Sequence, residues 1–309
     1  MRTLFCGTPE FAAEAFRYLI DKGCTPLAFM TQPDKPSGRN QSIKPSPVKQ
    51  LAIEHSIPVL QPESLKNPEL VEHIRKLEPD LLVVVAFRLI PSSLLAIPRR
   101  GAINLHASLL PDYRGASPIQ AVLLNDEPVT GVTTFFLNPA IDAGHIIMQN
   151  QVSITDQDDA GSLHDKLLNH GKKLLYRTIT ALEDWTVTGT PQPHGEYHYA
   201  PKFSKEESHI DWNQPVRRVF NQIRAFAPYP GAYAFHQSQA IKVLKSEILE
   251  SHSLGKPGRI IHSSEQDGLV IQTQPGTLRI LNLQPAGKKP MSTPDYLRGH
   301  PIQSGTCWS

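Results

Sequence analysis

At 309 residues the chain exceeds the roughly 100–200 typical of one domain, so two domains and a substantial core are expected. Hydrophobic residues at 39% and charged residues at 19% give an ordinary globular balance. No apolar run approaches the ~20 residues of a bilayer span, which excludes both a membrane-spanning and a disordered chain. A net charge of +2 is too small for nucleic-acid binding by bulk charge, so a polyanionic partner needs a local basic site. The opening residues Met1 to Phe11 lack the apolar stretch of a signal peptide, and Cys6, Cys24 and Cys307 form no C-x-x-C pair. The expectation is a cytoplasmic protein with no disulfide framework and no cysteine-held metal.

In chain order, the spacing predicts strands over residues 3–6, 27–31, 59–60, 81–86, 102–105, 132–136 and 145–152, alternating with helical patterns. The first helix is expected over 10–22, with Thr8 as N-cap and Pro9 at the first helical position. Shorter and longer helices follow over 118–124 and 161–184. This alternation is that of an α/β domain with a mostly parallel sheet covered on both faces. Thr188 to Gly195 is rich in turn formers and is expected as a linker. Beyond it come a helix over 216–225 and strands over 232–235, 240–247, 258–262, 269–273 and 277–283. Five short strands within about 60 residues predict a small β-barrel of OB-like kind.

Chemistry-bearing residues gather at strand ends and in loops. The turn Phe5 to Phe11 joins the first strand to the first helix, where dinucleotide enzymes place G-x-G-x-x-G. Gly7 is its one glycine, so a nicotinamide dehydrogenase is disfavoured and a tight-turn glycine is the plain alternative. Asn104 and His106 stand two apart at the end of an apolar strand and so point to one side, at the sheet edge where open α/β folds bind ligands. An amide there can hold a carbonyl oxygen and an imidazole can handle a proton, although a strand-end histidine is more often structural. The segment Ser108 to Gln120 adds rigid prolines and a positive charge, and Asp142 lies in a loop before the next strand. An aspartate in a loop is usually a turn former.

Taken together, Asn104 and His106, the Ser108-Leu109-Leu110-Pro111 loop ending at Gly115, and Asp142-Ala143-Gly144 resemble the signatures of the folate-dependent formyltransferases, in the family's order. Further segments resemble the methionyl-tRNA branch of that family: Gly7 to Phe11, Thr31 to Arg39, Lys44 to Lys49, Lys202 to Glu207, Ile210 to Trp212, Ile223 to Phe226 and Leu283 to Lys289. Glycinamide ribonucleotide enzymes lack such a second domain. Two departures stand out. Phe87 to Pro91 occupies the place of a common Tyr-Gly-Gln-Ile-Leu run beside the pterin pocket, and Ala140 and Ala143 replace a usual Gly and Thr.

The resemblance implies a Rossmann-like formyltransferase domain over 1–187, a linker over 188–205 and an OB-like tRNA-binding domain over 206–309. It also implies formyl transfer from 10-formyltetrahydrofolate to methionyl initiator tRNA, without a metal, by a monomer. Asn104, His106 and Asp142 are the implied catalytic residues, and Ser108, Leu109, Leu110 and Pro111 the folate-binding ones. His106 is either a protonated donor to the developing oxyanion or a neutral general base. The loop from Asp34 to Lys49 sets Lys35, Arg39, Lys44 and Lys49 against one acid. Arg39 and Lys44 there, with Lys288 and Lys289 on the β domain, are expected to meet tRNA phosphates, although scattered lysines are more often simply solvated. Two rivals are a formyltransferase acting on a sugar nucleotide and a non-catalytic tRNA-binding protein. The first needs a nucleotide pocket and no basic loop; the second is disfavoured by the joint presence of Asn104, His106 and Asp142.

Overall fold

The computed structural model describes residues 1–37, 42–266 and 268–309. They fall into two units: one holds 1–115, 129–153 and 165–199, and the other 116–128, 154–164 and 200–309.

The first unit is built on a seven-stranded sheet. Its strands are β1 (Thr3–Gly7), β2 (Ala28–Met30), β3 (Val59–Leu60), β4 (Leu81–Val85), β5 (Ala102–His106), β6 (Val129–Phe136) and β7 (Ile146–Ser153), in the order β7-β6-β5-β4-β1-β2-β3. The five strands from β5 to β3 run parallel, while β6 and β7 are antiparallel. All five residues of β4 are buried, as a strand covered on both faces requires. Alternation sends Leu4 and Cys6 into one core layer and Phe5 into the other. On the Phe5 side, α1 (Glu10–Asp21) supplies Phe16, whose ring lies 4.8 Å from Phe5 and 5.7 Å from Phe29. All three rings are fully buried, each stabilising the unit by about 1.5–3 kcal/mol.

Helix α1 starts at Glu10 as expected, but its cap is Pro9 in place of Thr8. The Pro9 carbonyl accepts the N–H groups of Ala12 and Ala13. The Thr8 hydroxyl instead accepts from the backbone N–H of Gln32, tying the turn to the end of β2. The helices not expected from the sequence include α2 (Pro47–Glu54) and α3 (Pro68–Leu77), besides short ones at Ser92–Leu95 and Thr293–Gly299. Helices α2 and α3 both carry legible start signals: proline in the first turn, and Ser46 or Asn67 accepting a backbone N–H. Burial raises the Cys6 thiol well above its ordinary range, so it behaves as a small apolar side chain.

The second unit pairs helices with an antiparallel sheet. Helix α4 (Pro118–Leu124) belongs to it, as do the first residues of α5 (Ala160–Glu183), where Asp159 and Ser162 exchange capping hydrogen bonds. Helix α6 (Val216–Phe226) presents Val216, Val219, Phe220, Ile223 and Phe226 to the core. Strands β8 (Ala232–His236), β9 (Gln239–Glu250), β10 (Ile260–Ser264), β11 (Gly268–Gln272) and β12 (Thr277–Pro285) are ordered β8-β9-β12-β11-β10, and β13 (Met291–Ser292) adds to β12. The last residues join the two edges. Ser309 exchanges backbone hydrogen bonds with Phe235 on β8, and the Trp308 N–H donates to Gly258 just before β10. A short helix, α7 (Thr293–Gly299), completes the unit. The fold is thus the expected mixed α/β one: a parallel-dominated sheet domain followed by an antiparallel sheet domain. Among the described residues, no helix is long and apolar enough to cross a membrane.

Candidate active site

Strand β5 delivers Asn104 and His106 to one side of the sheet, paired with Phe135 and Thr133 of β6. His106 is 6% exposed, and its Nε2 lies 2.8 Å from the Tyr113 carbonyl. A carbonyl can only accept, so Nε2 holds a proton and Nδ1 is the nitrogen left for other chemistry. Nδ1 lies 3.8 Å from Oδ2 of Asp142, within ion-pair range and beyond hydrogen-bond range. The side-chain oxygen of Asn104 is buried without a hydrogen-bond partner among the described residues. Such an orphan is unfavourable by about 1–3 kcal/mol unless a ligand satisfies it.

Asp142 reaches this place through an unusual turn. Its φ is +48°, a left-handed conformation that aspartate tolerates better than most residues. Its Oδ2 accepts the Gly115 N–H at 2.9 Å, while Oδ1 makes no hydrogen bond among the described residues. Gly144 cannot be replaced without rebuilding the turn, because a Cβ there would stand 1.6 Å from the Phe136 carbonyl oxygen. Ala140 still closes the turn, donating its N–H to the Asn138 side chain.

The loop after β5 is pinned to the sheet by residues that sequence reading passed over. Thr133 donates to the Ser108 carbonyl at 2.7 Å and accepts from the Leu110 N–H at 3.1 Å. Gln149 of β7 donates to the Leu110 carbonyl at 2.8 Å and to Thr133. The Ser108 hydroxyl donates to the Asp112 carbonyl. Leu110 is buried, Leu109 packs where Gly131 leaves room for it, and Pro111 is half-buried. The side chains of Ser108, Leu109 and Leu110 therefore serve the loop's own shape.

Two residues of the turn-rich segment before 200 also belong here. Gln192, nearly buried, donates to the carbonyls of Asp142 and Gly144, at 2.8 Å each, and accepts from Arg114. His198 stacks on Tyr113 with ring centroids 5.2 Å apart, and its ring contacts the Asp112 carboxylate at 3.2 Å. No local pattern marks either residue, since their partners lie about 50 to 86 positions away in sequence.

Arg88 is engaged mainly by backbone carbonyls, with its Nε buried and unpartnered among the described residues. Its guanidinium donates to the carbonyls of Pro62 and Glu63 and lies 5.4 Å from the Phe87 ring centre. Among the expected phosphate contacts, Arg39 lies outside the described residues. Lys44 is exposed in a short antiparallel ladder between residues 35–37 and 42–44. Lys49 is neutralised by Asp34, which also accepts from Gln61. Lys288 and Lys289 are both exposed in the turn before β13. Among the described residues no group of three or more His, Cys, Asp or Glu is placed to hold a metal ion.

Residues 1–179 match the Formyl transferase family, and residues 202–301 match its C-terminal domain. The solved N-formyltransferase from Helicobacter canadensis, complexed with folinic acid and dTDP-3-aminofucose, shares the fold at a TM-score of 0.68 and 20% identity, covering 91% of this chain and 98% of its own. The class is therefore a formyltransferase. A methionyl-tRNA formyltransferase from Alkaliphilus oremlandii is 42% identical over 306 residues, 99% of this chain and 98% of that relative. One from Geobacter metallireducens is 43% identical over 303 residues, 98% and 96% of the two. The chain belongs to the methionyl-tRNA formyltransferase family.

Proposed function

We propose that the chain transfers the formyl group of 10-formyltetrahydrofolate to the α-amino group of methionyl initiator tRNA, acting as a cytoplasmic monomer, with Asn104, His106 and Asp142 as its catalytic residues. The observation that carries this reading is the buried side-chain oxygen of Asn104, without a hydrogen-bond partner among the described residues, two positions along β5 from a histidine whose Nδ1 lies 3.8 Å from Asp142. An amide able to accept and donate suits a formyl group approached by an amine.

The amine nitrogen attacks the formyl carbon, the bond from that carbon to the folate nitrogen breaks, and the folate nitrogen receives a proton. The carbonyl oxygen gains negative charge on the way and must be held. The Asn104 amide N–H and, with His106 protonated on both ring nitrogens, its Nδ1–H are the two donors assigned to it, fixed in place so that little reorganisation is needed as the charge develops. Asp142, with Oδ1 free of hydrogen bonds among the described residues, accepts the proton that the amine loses. The Ser108 to Pro111 loop forms a wall of the folate pocket through its fixed shape. Arg39, Lys44, Lys288 and Lys289 meet RNA phosphates, which position the acceptor without reading its sequence.

A formyl-transfer assay with 10-formyltetrahydrofolate and three acceptors tests the assignment: methionyl initiator tRNA, methionyl elongator tRNA and glycinamide ribonucleotide. Labelling of the ribonucleotide alone would overturn it. Under single-turnover conditions, Asn104→Ala, His106→Ala and Asp142→Asn should each lower the rate by about 10²–10³, with pairs losing less than the product of the singles. A near-normal rate for His106→Ala removes the histidine from the chemistry.

A further inference from the structure

In the second unit, one aromatic ring is held in water by an unusually constrained backbone. Tyr229 is 81% exposed, more than any other large hydrophobic side chain described. It sits in Ala227-Pro228-Tyr229-Pro230-Gly231, so prolines on both sides fix the backbone angles next to it. The segment is anchored at both ends. The Gly161 N–H donates to the Ala227 carbonyl, and the Gly231 N–H donates to the Phe226 carbonyl at 2.8 Å. Pro228 packs so closely on the start of α5 that a Cβ at Gly161 would come within 2.7 Å of it. The backbone that carries the ring is therefore preorganised, so a partner stacking on it has only the side chain left to order.

Its surroundings extend the surface. Lys242 of β9 places Nζ 5.8 Å from the Tyr229 ring centre. Lys242 is the cross-strand partner of Tyr233 on β8, and Phe235 follows two residues on, on the same face. Tyr233 and Phe235 lie 5.7 Å apart, and His209 lies 5.1 Å from the first and 5.7 Å from the second. The exposed Trp185 is a useful contrast, because Arg100 lies on its face at 3.9 Å, whereas Lys242 lies over the Tyr229 ring at a looser 5.8 Å and the ring stays 81% exposed. Aromatic faces interleaved with a cation on a small antiparallel sheet are the elements from which single-stranded nucleic-acid sites are made.

We propose that Tyr229 and Lys242, continued by Tyr233, Phe235 and His209, form a platform on which an unpaired nucleotide of the RNA acceptor stacks while Lys242 meets its phosphate. The proposal rests on the tRNA reading given above. It makes Tyr229 a residue for holding the acceptor, with no part in the chemistry.

The test is kinetic, with a direct binding measurement beside it. Tyr229→Ala should raise the KM for methionyl-tRNA by about 5- to 100-fold, as loss of one base–aromatic stack predicts, while kcat at saturating RNA and the KM for 10-formyltetrahydrofolate stay unchanged. Tyr229→Phe and Tyr229→Trp keep a flat ring and should restore the wild-type KM, and the emission of Tyr229→Trp should be quenched by uncharged tRNA. Residue 229 is exposed, and the two ring-retaining variants control for misfolding. Wild-type protein that binds uncharged tRNA yet formylates no methionyl-tRNA would fault the acceptor reading. Tyr229→Ala protein that binds and formylates tRNA as the wild type does would overturn the platform and leave this face to a protein partner.

Discussion

Replacing Gln192 by alanine should slow formyl transfer although the residue touches neither proposed substrate. Its amide donates to the carbonyls of Asp142 and Gly144 and accepts from the Nε of Arg114, at 2.8, 2.8 and 3.1 Å. Alanine removes these bonds and leaves two carbonyls and a guanidinium to find new partners. Each such bond contributes about 0.5–1.5 kcal/mol net, more where one partner is charged, so the loss should total about 2–4 kcal/mol. For a unit of this size that lowers the melting midpoint by about 4–15 °C. The larger consequence is geometric. The turn carrying Asp142 at φ +48° loses its brace, and a displacement near 1 Å at a catalytic group can reduce turnover about 10²-fold. Single-turnover formyl transfer should fall by about 10- to 100-fold, with the KM for methionyl-tRNA little changed. Gln192→Glu provides the control: it can still accept from Arg114 but sets a carboxylate against two carbonyls, so it should be no faster than the alanine variant. A wild-type single-turnover rate in Gln192→Ala would refute the coupling between this residue and Asp142.

Two further outcomes are expected. Hydrogen bonds from Arg217 hold the carboxyls of Asp126 and Asp156 below their ordinary range, with partial burial opposing. A depressed folded value means that the stabilisation is complete above the unfolded value near ~3.9 and is lost as pH falls through the folded one. Melting midpoints followed from pH 6 to pH 2 should therefore drop more steeply for the wild type than for Arg217→Gln, by a modest margin because these carboxylates are over a third exposed; parallel curves would show that the cluster is inert. Separately, Arg39→Ala with Lys44→Ala should weaken tRNA binding and flatten its dependence on salt while leaving folate binding intact, and an unchanged tRNA titration removes the basic loop from the interface.

What was legible in the sequence was local. Short continuous apolar runs mark the parallel strands, and the Asn104 and His106 spacing puts both side chains on one side of β5 because a strand alternates strictly. The less legible parts depend on partners remote in sequence. Gln192 lies in a stretch of turn formers, and its importance comes from carbonyls of a loop 48 and 50 residues earlier. Residues 116–128 read as part of the first α/β pattern, yet they are counted with the second unit, where Asp126 meets Arg217 and Arg224. Helices α2 and α3 were missed for a different reason. They are short and their apolar faces are narrow, with Ile74 the one buried residue of α3, so periodicity was too weak although the caps were present.

The first β–α turn explains why a sheet of this topology serves a formyl donor rather than a dinucleotide. Strand order reverses beside β1, which is where related sheets bring a pyrophosphate against the helix N-terminus over a glycine-rich turn. Here Gly7 has a different task from the tight turn that its sequence context suggests. A Cβ at this position would come within 2.6 Å of Ala12 and 2.8 Å of the Val85 carbonyl oxygen, so its missing side chain lets α1 approach β1 and β4 closely. The following cap is Pro9, which has no backbone N–H to offer an anion. The Thr8 hydroxyl is engaged with Gln32, across from β2. With the anion-binding elements of the turn taken up by packing, the groups suited to polar chemistry lie at the end of β5 and in the Asp142 loop. There the His106 imidazole lies 3.8 Å from the Asp142 carboxylate and Asn104 stands two positions before His106 on β5, the three groups proposed to serve a carbonyl that gains charge and an amine that sheds a proton.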